Sequence, residues 1–309
     1  MIPIKLLHFF ASTGLPKSKS RFSSFNAKFH ENPLGLPRSD APPVIPRMQR
    51  GLPQKRSIPG VGKVIAVSSA KGGVGKSTIA GKLYFIHPVA LQGRKVGILD
   101  TDIFGPSIPK LFNLSGEPSL DNRLIPLQNY GVESMSMGFL VGEEAPVVWR
   151  GLMVMKALQQ LLHEVEWGAL DLLILDLPPG TGDTQLTITQ QILLDGAVIV
   201  STPQDIALID AVKGINMFKK VNVPLLGIIQ NMSIFVCPKC NHETSIFGCD
   251  GARRTAEKHG IEHLGDIPLH QSICAQADLG KPTVISEPDG IYAQIFREIA
   301  KRICNKIGL

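Results

Sequence analysis

Beyond residue 60 the chain alternates between short apolar runs and longer stretches with apolar residues at helical spacing. The short runs, at 64–69, 96–100, 132–136, 171–176, 196–201, 225–230 and 262–267, read as strands. Between and after them, segments near 76–92, 152–165, 183–194, 205–219, 251–259 and 291–307 read as helices. Strands that alternate with helices predict an α/β fold: a mostly parallel sheet with helices on both faces. One local conflict stands out. Pro88 falls inside the first helical segment, where it removes a backbone hydrogen bond and ends or kinks the helix.

The first strand leads directly into Ala70-Lys71-Gly72-Gly73-Val74-Gly75-Lys76-Ser77-Thr78. A strand, a glycine-rich loop and Lys-Ser at a helix start form a phosphate cradle. Glycines let successive backbone N–H groups turn toward one anion, and the helix start adds unpaired N–H groups and a positive dipole end. The binding set is therefore Gly72, Gly73, Val74, Gly75, Lys76, Ser77 and Thr78. Lys76 is placed to reach the β- and γ-phosphates, and the Ser77 hydroxyl to ligate Mg²⁺. This makes the expected class a P-loop NTPase, with Ala70 where the pattern usually opens on glycine.

Two strands end in acid. Val96–Leu99 runs into Asp100-Thr101-Asp102, and Leu172–Leu175 into Asp176. Carboxylates at the carboxyl ends of parallel strands face the ligand crevice. Asp176 suits Mg²⁺ held through water, and Asp102 suits orientation of the attacking water. Asp100 fits either support of the metal shell or a plain helix cap.

Composition changes the picture at one end only. The 309 residues carry a formal charge of +6, but residues 1–50 hold eight Lys/Arg and two acids. From residue 51 onward 24 basic residues meet 24 acidic ones. The neutral body removes the compositional argument for nucleic-acid binding. The leader has no acid before Glu31, with interspersed Lys/Arg, serines and five phenylalanines. It reads as an organelle presequence, mitochondrial before chloroplast or a disordered tail, and Pro33–Pro59 reads as a linker. The expected division is 1–59 for presequence and flexible linker, and 60–309 for the ATPase domain with an inserted C-x-x-C loop near 235–250.

That loop holds Cys237-Pro238-Lys239-Cys240. C-x-x-C puts two thiolates in chelating reach, whereas a tetrahedral metal or a cluster wants four. A symmetric dimer would supply Cys₄. Half of a zinc site completed by His242 and Cys249, a redox dithiol, and two cysteines without a ligand are the competing readings.

The early Lys71 in K-G-G-x-G-K-[ST] resembles the deviant Walker A signature shared by the Mrp-type iron–sulfur ATPases, the nitrogenase iron protein and the MinD/ParA ATPases. That resemblance implies that Lys71 reaches across a dimer to the partner's nucleotide. Further stretches are similar to the Mrp family of iron–sulfur cluster carriers: Asp102–Ser107, Met135–Phe139, Val148–Gly151, Asp176–Asp183, Ser201–Asp205, Gln230–Ser233, Cys237–Cys240 and Gly265–Pro268. The resemblance implies a homodimer that binds ATP and bridges a [4Fe–4S] cluster through Cys237 and Cys240 of both subunits. It implies delivery to apo iron–sulfur proteins, chiefly subunits of respiratory complex I, in the mitochondrial matrix. It also implies that Asn231 reads the adenine edge, and that ATP hydrolysis is weak and serves as a switch. Ala70 and the Gly81–Pro88 segment depart from the family pattern.

Two other functions compete: a MinD/ParA-type positioning ATPase and a zinc- or nickel-insertion ATPase. The first draws on residues 295–303, whose apolar spacing opposite Arg297, Lys301 and Arg302 suits a membrane-surface helix and so a weak membrane association. The same spacing suits the last packing helix of the sheet.

Overall fold

The computed structural model describes residues 55–83, 94–103, 105–121, 123–140 and 151–309. The presequence, most of the linker, Pro88, Phe104 and Val148–Arg150 lie outside the described residues.

The strands are β1 (Val61–Ser68), β2 (Val96–Asp100), β3 (Leu120–Asp121), β4 (Arg123–Leu124), β5 (Leu127–Asn129), β6 (Val132–Ser136), β7 (Leu170–Asp176), β8 (Gly196–Ser201), β9 (Leu225–Val236), β10 (Glu243–Thr244) and β11 (His263–Leu269). The helices are α1 (Lys76–Leu83), α2 (Ile108–Leu111), α3 (Gly151–His163), α4 (Asp183–Gln191), α5 (Asp205–Lys220), α6 (Gly251–His259), α7 (Gln271–Asp278), α8 (Thr283–Ser286) and α9 (Ile291–Ile307). The main sheet runs β10-β9-β8-β1-β7-β2-β6-β5, with β11 also paired to β9. Pairings among β6, β2, β7, β1, β8, β9 and β11 are parallel, while β5 and β10 add antiparallel ends.

The apolar strand runs follow from burial on both faces. Side chains alternate across a strand. In β1, Val64 and Ala66 join the layer of α3, α4, α5 and α6, while Ile65 and Val67 join the layer of α1, α2 and α9. β7 divides the same way, Leu173 and Leu175 against Leu172 and Ile174. A strand covered on both sides needs no polar face.

The α/β architecture expected from the hydrophobic pattern is the one found, with three differences. The folded body takes in residues before 60: Arg56 N–H donates to Gln191 O at 2.8 Å, Leu193 N–H donates to Arg56 O at 3.1 Å, and Ile58 is buried. β9 continues to Val236, six residues past its last pairing with β8 at Gln230. The short helices α2, α7 and α8 are too brief for a periodic signal to show in the sequence.

Of the two readings of the last helix, the packing helix is the one found, and the membrane-surface alternative is not. α9 buries Ala293, Phe296, Ile299, Ala300, Ile303, Cys304 and Ile307 against the sheet. Its outer face is held by ion pairs, Arg302 with Glu298 at 3.5 Å and with Glu262 at 3.7 Å. The apolar stripe is thus occupied by the core. Among the described residues no helix is long and apolar enough to cross a membrane.

Lys82 of α1 is a charge carried into this layer. Its Nζ sits 5.2 Å from the centroid of the Phe296 ring and donates to Ile273 O at 3.4 Å. Burial pulls its pKa down from 10.5 to about 7, and nearby Cys274 only partly opposes this. The unfolded chain therefore binds more protons than the folded one between about pH 7 and 10.5, so stability rises with pH across that window. Urea midpoints at about pH 7 and about pH 9.5 should show this rise, and Lys82→Met should flatten it by up to a few kcal/mol. Equal slopes in the two proteins would contradict the assignment.

Candidate functional site

Parallel strands put their carboxyl ends on one edge, and the loops there carry the chemistry. β1 ends at Ser68, the chain turns through residues 69–75, and α1 begins at Lys76. Gly73 and Gly75 take φ of +80° and +81°, left-handed values that turn the loop back on itself. Gly75 also has no room for a side chain, since a Cβ there would stand 2.3 Å from Asn231 Nδ2. The loop borders a cavity of about 250 Å³ formed by Ser69, Gly72, Gly73, Gly75, Lys76, Ser77, Thr78, Asp102, Gly105 and Pro179. Val74 contributes backbone only, because its side chain is buried in the core. Lys71 stands outside this cavity, half-buried, with its carbonyl accepting from Ser69 Oγ at 2.9 Å.

β1 and β7 are neighbours, with Val67 opposite Asp176, so the loop lysine meets that acid. Lys76 Nζ donates to Asp176 Oδ1 in a short ion pair and to Ser77 Oγ at 3.1 Å. Lys76 is 6% exposed and Asp176 is 0% exposed. Burial pushes the Asp176 pKa up, and the Lys76 ammonium works against that rise. Asp176 Oδ2 is buried without a hydrogen-bond partner. The unpaired Oδ2 of a carboxylate whose Oδ1 shares Lys76 with the Ser77 hydroxyl supplies the oxygen donors that Mg²⁺ requires, so the residues fit that ion.

Asp102 lies on the cavity, where its Oδ1 accepts from Gly105 N–H at 3.2 Å. Of its two expected roles, Asp100 shows the geometry of a helix cap. Its Oδ1 accepts from Asp102 N–H at 3.0 Å, and its Oδ2 accepts from Ser107 N–H at 3.0 Å, Ile108 N–H at 3.2 Å and Ser136 Oγ at 3.1 Å. Both oxygens are occupied, so Asp100 caps α2 and fixes the loop bearing Asp102. Burial, then the neighbouring Asp176, push Asp100 up to about 7 against the pull of those backbone N–H groups and Lys76. Asn231 reaches the same loop from β9, donating from Nδ2 to Val74 O at 2.8 Å. Sequence reasoning missed the polar supports: Thr101 Oγ1 donates to Asp176 O at 2.8 Å, and Gln185 Nε2 to Ser68 Oγ at 3.2 Å. Their one signal is a buried-type position at a strand end or helix face filled by a polar residue.

The cysteine pair sits in a hairpin, a more ordered place than a loop after a strand. β10 folds back on β9, with Glu243 opposite Val236 and Thr244 opposite Phe235. The turn is closed by Cys237 N–H donating to His242 O at 3.0 Å and Asn241 N–H donating to Cys237 O at 2.9 Å. Backbone N–H groups of Lys239, then Cys240, point at the Cys237 sulfur and hold its thiol below the ordinary range. Turn amides thus favour the thiolate, the ligand form, without a helix start. Cys240 is exposed and Cys237 half-buried. Among the described residues no three His, Cys, Asp or Glu side chains gather closely enough to hold a metal ion, and neither His242 nor Cys249 stands with the cysteine pair in such a group. Cys304 is buried in α9, where burial pushes it up to about 11.

Known proteins resemble the chain over this same span. The family model described as "ParA: NUBPL iron-transfer P-loop NTPase" matches residues 60–304. The iron-sulfur cluster transfer protein NUBPL of Mus musculus is 55% identical over 262 residues, 84% of this chain and 82% of that one. The iron-sulfur protein required for NADH dehydrogenase, mitochondrial, of Arabidopsis thaliana is 51% identical over 249 residues, 79% of this chain and 78% of that one. A solved structure of a nucleotide-binding protein from Archaeoglobus fulgidus in complex with ADP is 40% identical, with a TM-score of 0.65, over 77% of this chain and 93% of that one. A match that takes in the phosphate loop, the strand-end acids and the cysteine hairpin together places the chain in the ParA/NUBPL family of iron-transfer P-loop NTPases.

Proposed function

We propose that this protein is an ATP-binding iron–sulfur cluster carrier of the mitochondrion. Two copies hold one [4Fe–4S] cluster as cargo between their cysteine hairpins and pass it to apo-proteins. The observation that carries this reading is the hairpin: two cysteines, one thiol favoured as thiolate, and no third ligand gathered from the described residues. A second copy supplies the missing pair. Exposed apolar side chains support such a contact: Ile206 (62%) and Ile209 (60%) on α5, and Ile246 (53%) just past β10, follow the carboxyl ends of β8 and β9. The relatives named above carry iron–sulfur transfer and a mitochondrial requirement for NADH dehydrogenase in their names. The finer reading is delivery to complex I subunits in the matrix.

In this reading the phosphate loop is a switch. Gly72, Gly73, Val74, Gly75, Ser77 and Thr78 offer backbone N–H groups to the phosphates, and Lys76 turns from Asp176 toward the β- and γ-phosphates. Mg²⁺, when bound, neutralises phosphate charge beside Ser77 and Asp176. Asp102 orients the attacking water at the cavity wall. Lys71, outside its own cavity, is available to a partner's nucleotide. Asn231, which meets Val74 of the loop, is assigned the adenine edge by its place in the family pattern. Turnover is slow, because such sites spend nucleotide on conformation.

Three outcomes test this. Lys76→Ala removes charge-assisted contacts of about 1.5–3 kcal/mol, so Mg-ATP binding by fluorescence titration should weaken about ten- to a hundred-fold; an unchanged affinity would contradict the role. Anaerobically prepared full-length protein should show a broad band near roughly 400 nm. Cys237→Ser and Cys240→Ser should lose it, while Cys249→Ser, Cys274→Ser and Cys304→Ser keep it. Stoichiometric zinc without the band would favour a zinc-handling ATPase instead. Residues 1–50 fused to a fluorescent reporter should enter mitochondria, and a cytosolic or chloroplast signal would overturn that localisation.

A further inference from the structure

β9 runs from a contact with the phosphate loop to the start of the cysteine hairpin, and two consecutive residues, Asn231 and Met232, stand at the loop end. Asn231 is 8% exposed and pairs with Ile267 of β11. Its Nδ2 donates to the Val74 carbonyl inside the phosphate loop at 2.8 Å, and the loop leaves no space for a Cβ at Gly75. Met232, the next residue, has φ of +54° inside a strand. A non-glycine residue holds a left-handed conformation only where its surroundings impose it. Its Cε lies 4.0 Å from the Cβ position of Gly75, and the β9–β11 register shifts between Ile267 and Leu269 beside it.

Both ends of the cysteine segment are anchored here. The entry is β9 itself, which runs on to Val236 and opens at Cys237, about 20 Å from Asn231 at ~3.3 Å per residue. The exit is α6, which begins at Gly251 and whose Ala252 N–H donates to Gln230 Oε1 at 3.0 Å. Gln230 is in turn held by Asp266 Oδ1 at 2.7 Å. A shift of the Val74 carbonyl would leave the Asn231 amide buried and unpaired, which is unfavourable, so the strand must follow the loop.

We propose that Asn231 is a positioning residue that ties the phosphate loop to the cysteine hairpin. Movement of the loop on binding phosphates passes through Asn231 and the left-handed step at Met232 to Cys237 and Cys240. This rests on the reading of the loop as the nucleotide site and the hairpin as the cluster site.

The test is alkylation of the full-length protein with iodoacetamide, read peptide by peptide, with Cys274 as internal reference. Rates at Cys237 and Cys240 are compared without nucleotide and at saturating Mg-ATP, with bound nucleotide and oligomeric state measured on the same samples. Wild type should show a several-fold change on nucleotide binding. In Asn231→Ala, with Mg-ATP raised until bound nucleotide equals that of wild type, the ratio should fall to near one. Met232→Gly, which suits the left-handed position, should also damp the ratio, and it carries the test if Asn231→Ala does not fold. A ratio that survives in the folded variants, or one already near one in wild type, overturns the proposal. The iron–sulfur band of the same variants reports separately on the carrier reading, which stands if the band persists while the coupling fails.

Discussion

Lys76 and Asp176 form the interaction on which the nucleotide site depends. Two charges taken out of water cost free energy that only a close, well-aligned pair offsets, and removing one partner of such a pair costs about 3–5 kcal/mol. The pair exists because β7, more than a hundred residues away in sequence, inserts between β1 and β2. That order sets Val67 and Asp100 on either side of Asp176. The phosphate loop is therefore shaped by a distant strand as much as by its own glycines. In the proposed function phosphates compete with Asp176 for the same ammonium, which would make the loop a two-position element.

Local features were legible in the sequence and non-local ones were not. The loop from Gly72 to Thr78 was legible from its spacing, since its glycines, Lys76 and Ser77 are contiguous in the sequence. The strand runs were legible because β1 and β7 are covered on both faces, which leaves four apolar residues in a row in each, Val64–Val67 and Leu172–Leu175. Asp100 was ambiguous because the groups that occupy it, Ser107, Ile108 and Ser136, lie up to 36 residues away. Asn231 meets Val74 across 157 residues, a contact no spacing announces. The end of β9 was hidden by the polar Gln230, Asn231 and Ser233, which break the apolar run although the strand continues. The apolar stripe of α9 was readable, but whether it faced a membrane or the core was decided by packing against β11 and α1.

In the proposed reading, half of a ligand set in each chain makes assembly part of the chemistry. The hairpin places Cys237 and Cys240 where β9 has outrun β8, at the margin of the sheet and open to another molecule. The phosphate loop opens on the same edge, which gives nucleotide and cargo a common face.

Native mass spectrometry of the anaerobically loaded, full-length protein tests this account most directly. The account predicts a species with the mass of two chains and one [4Fe–4S] cluster, with no cluster on single chains. A single chain that retains a complete cluster, or a dimer that carries one cluster per chain, would contradict it.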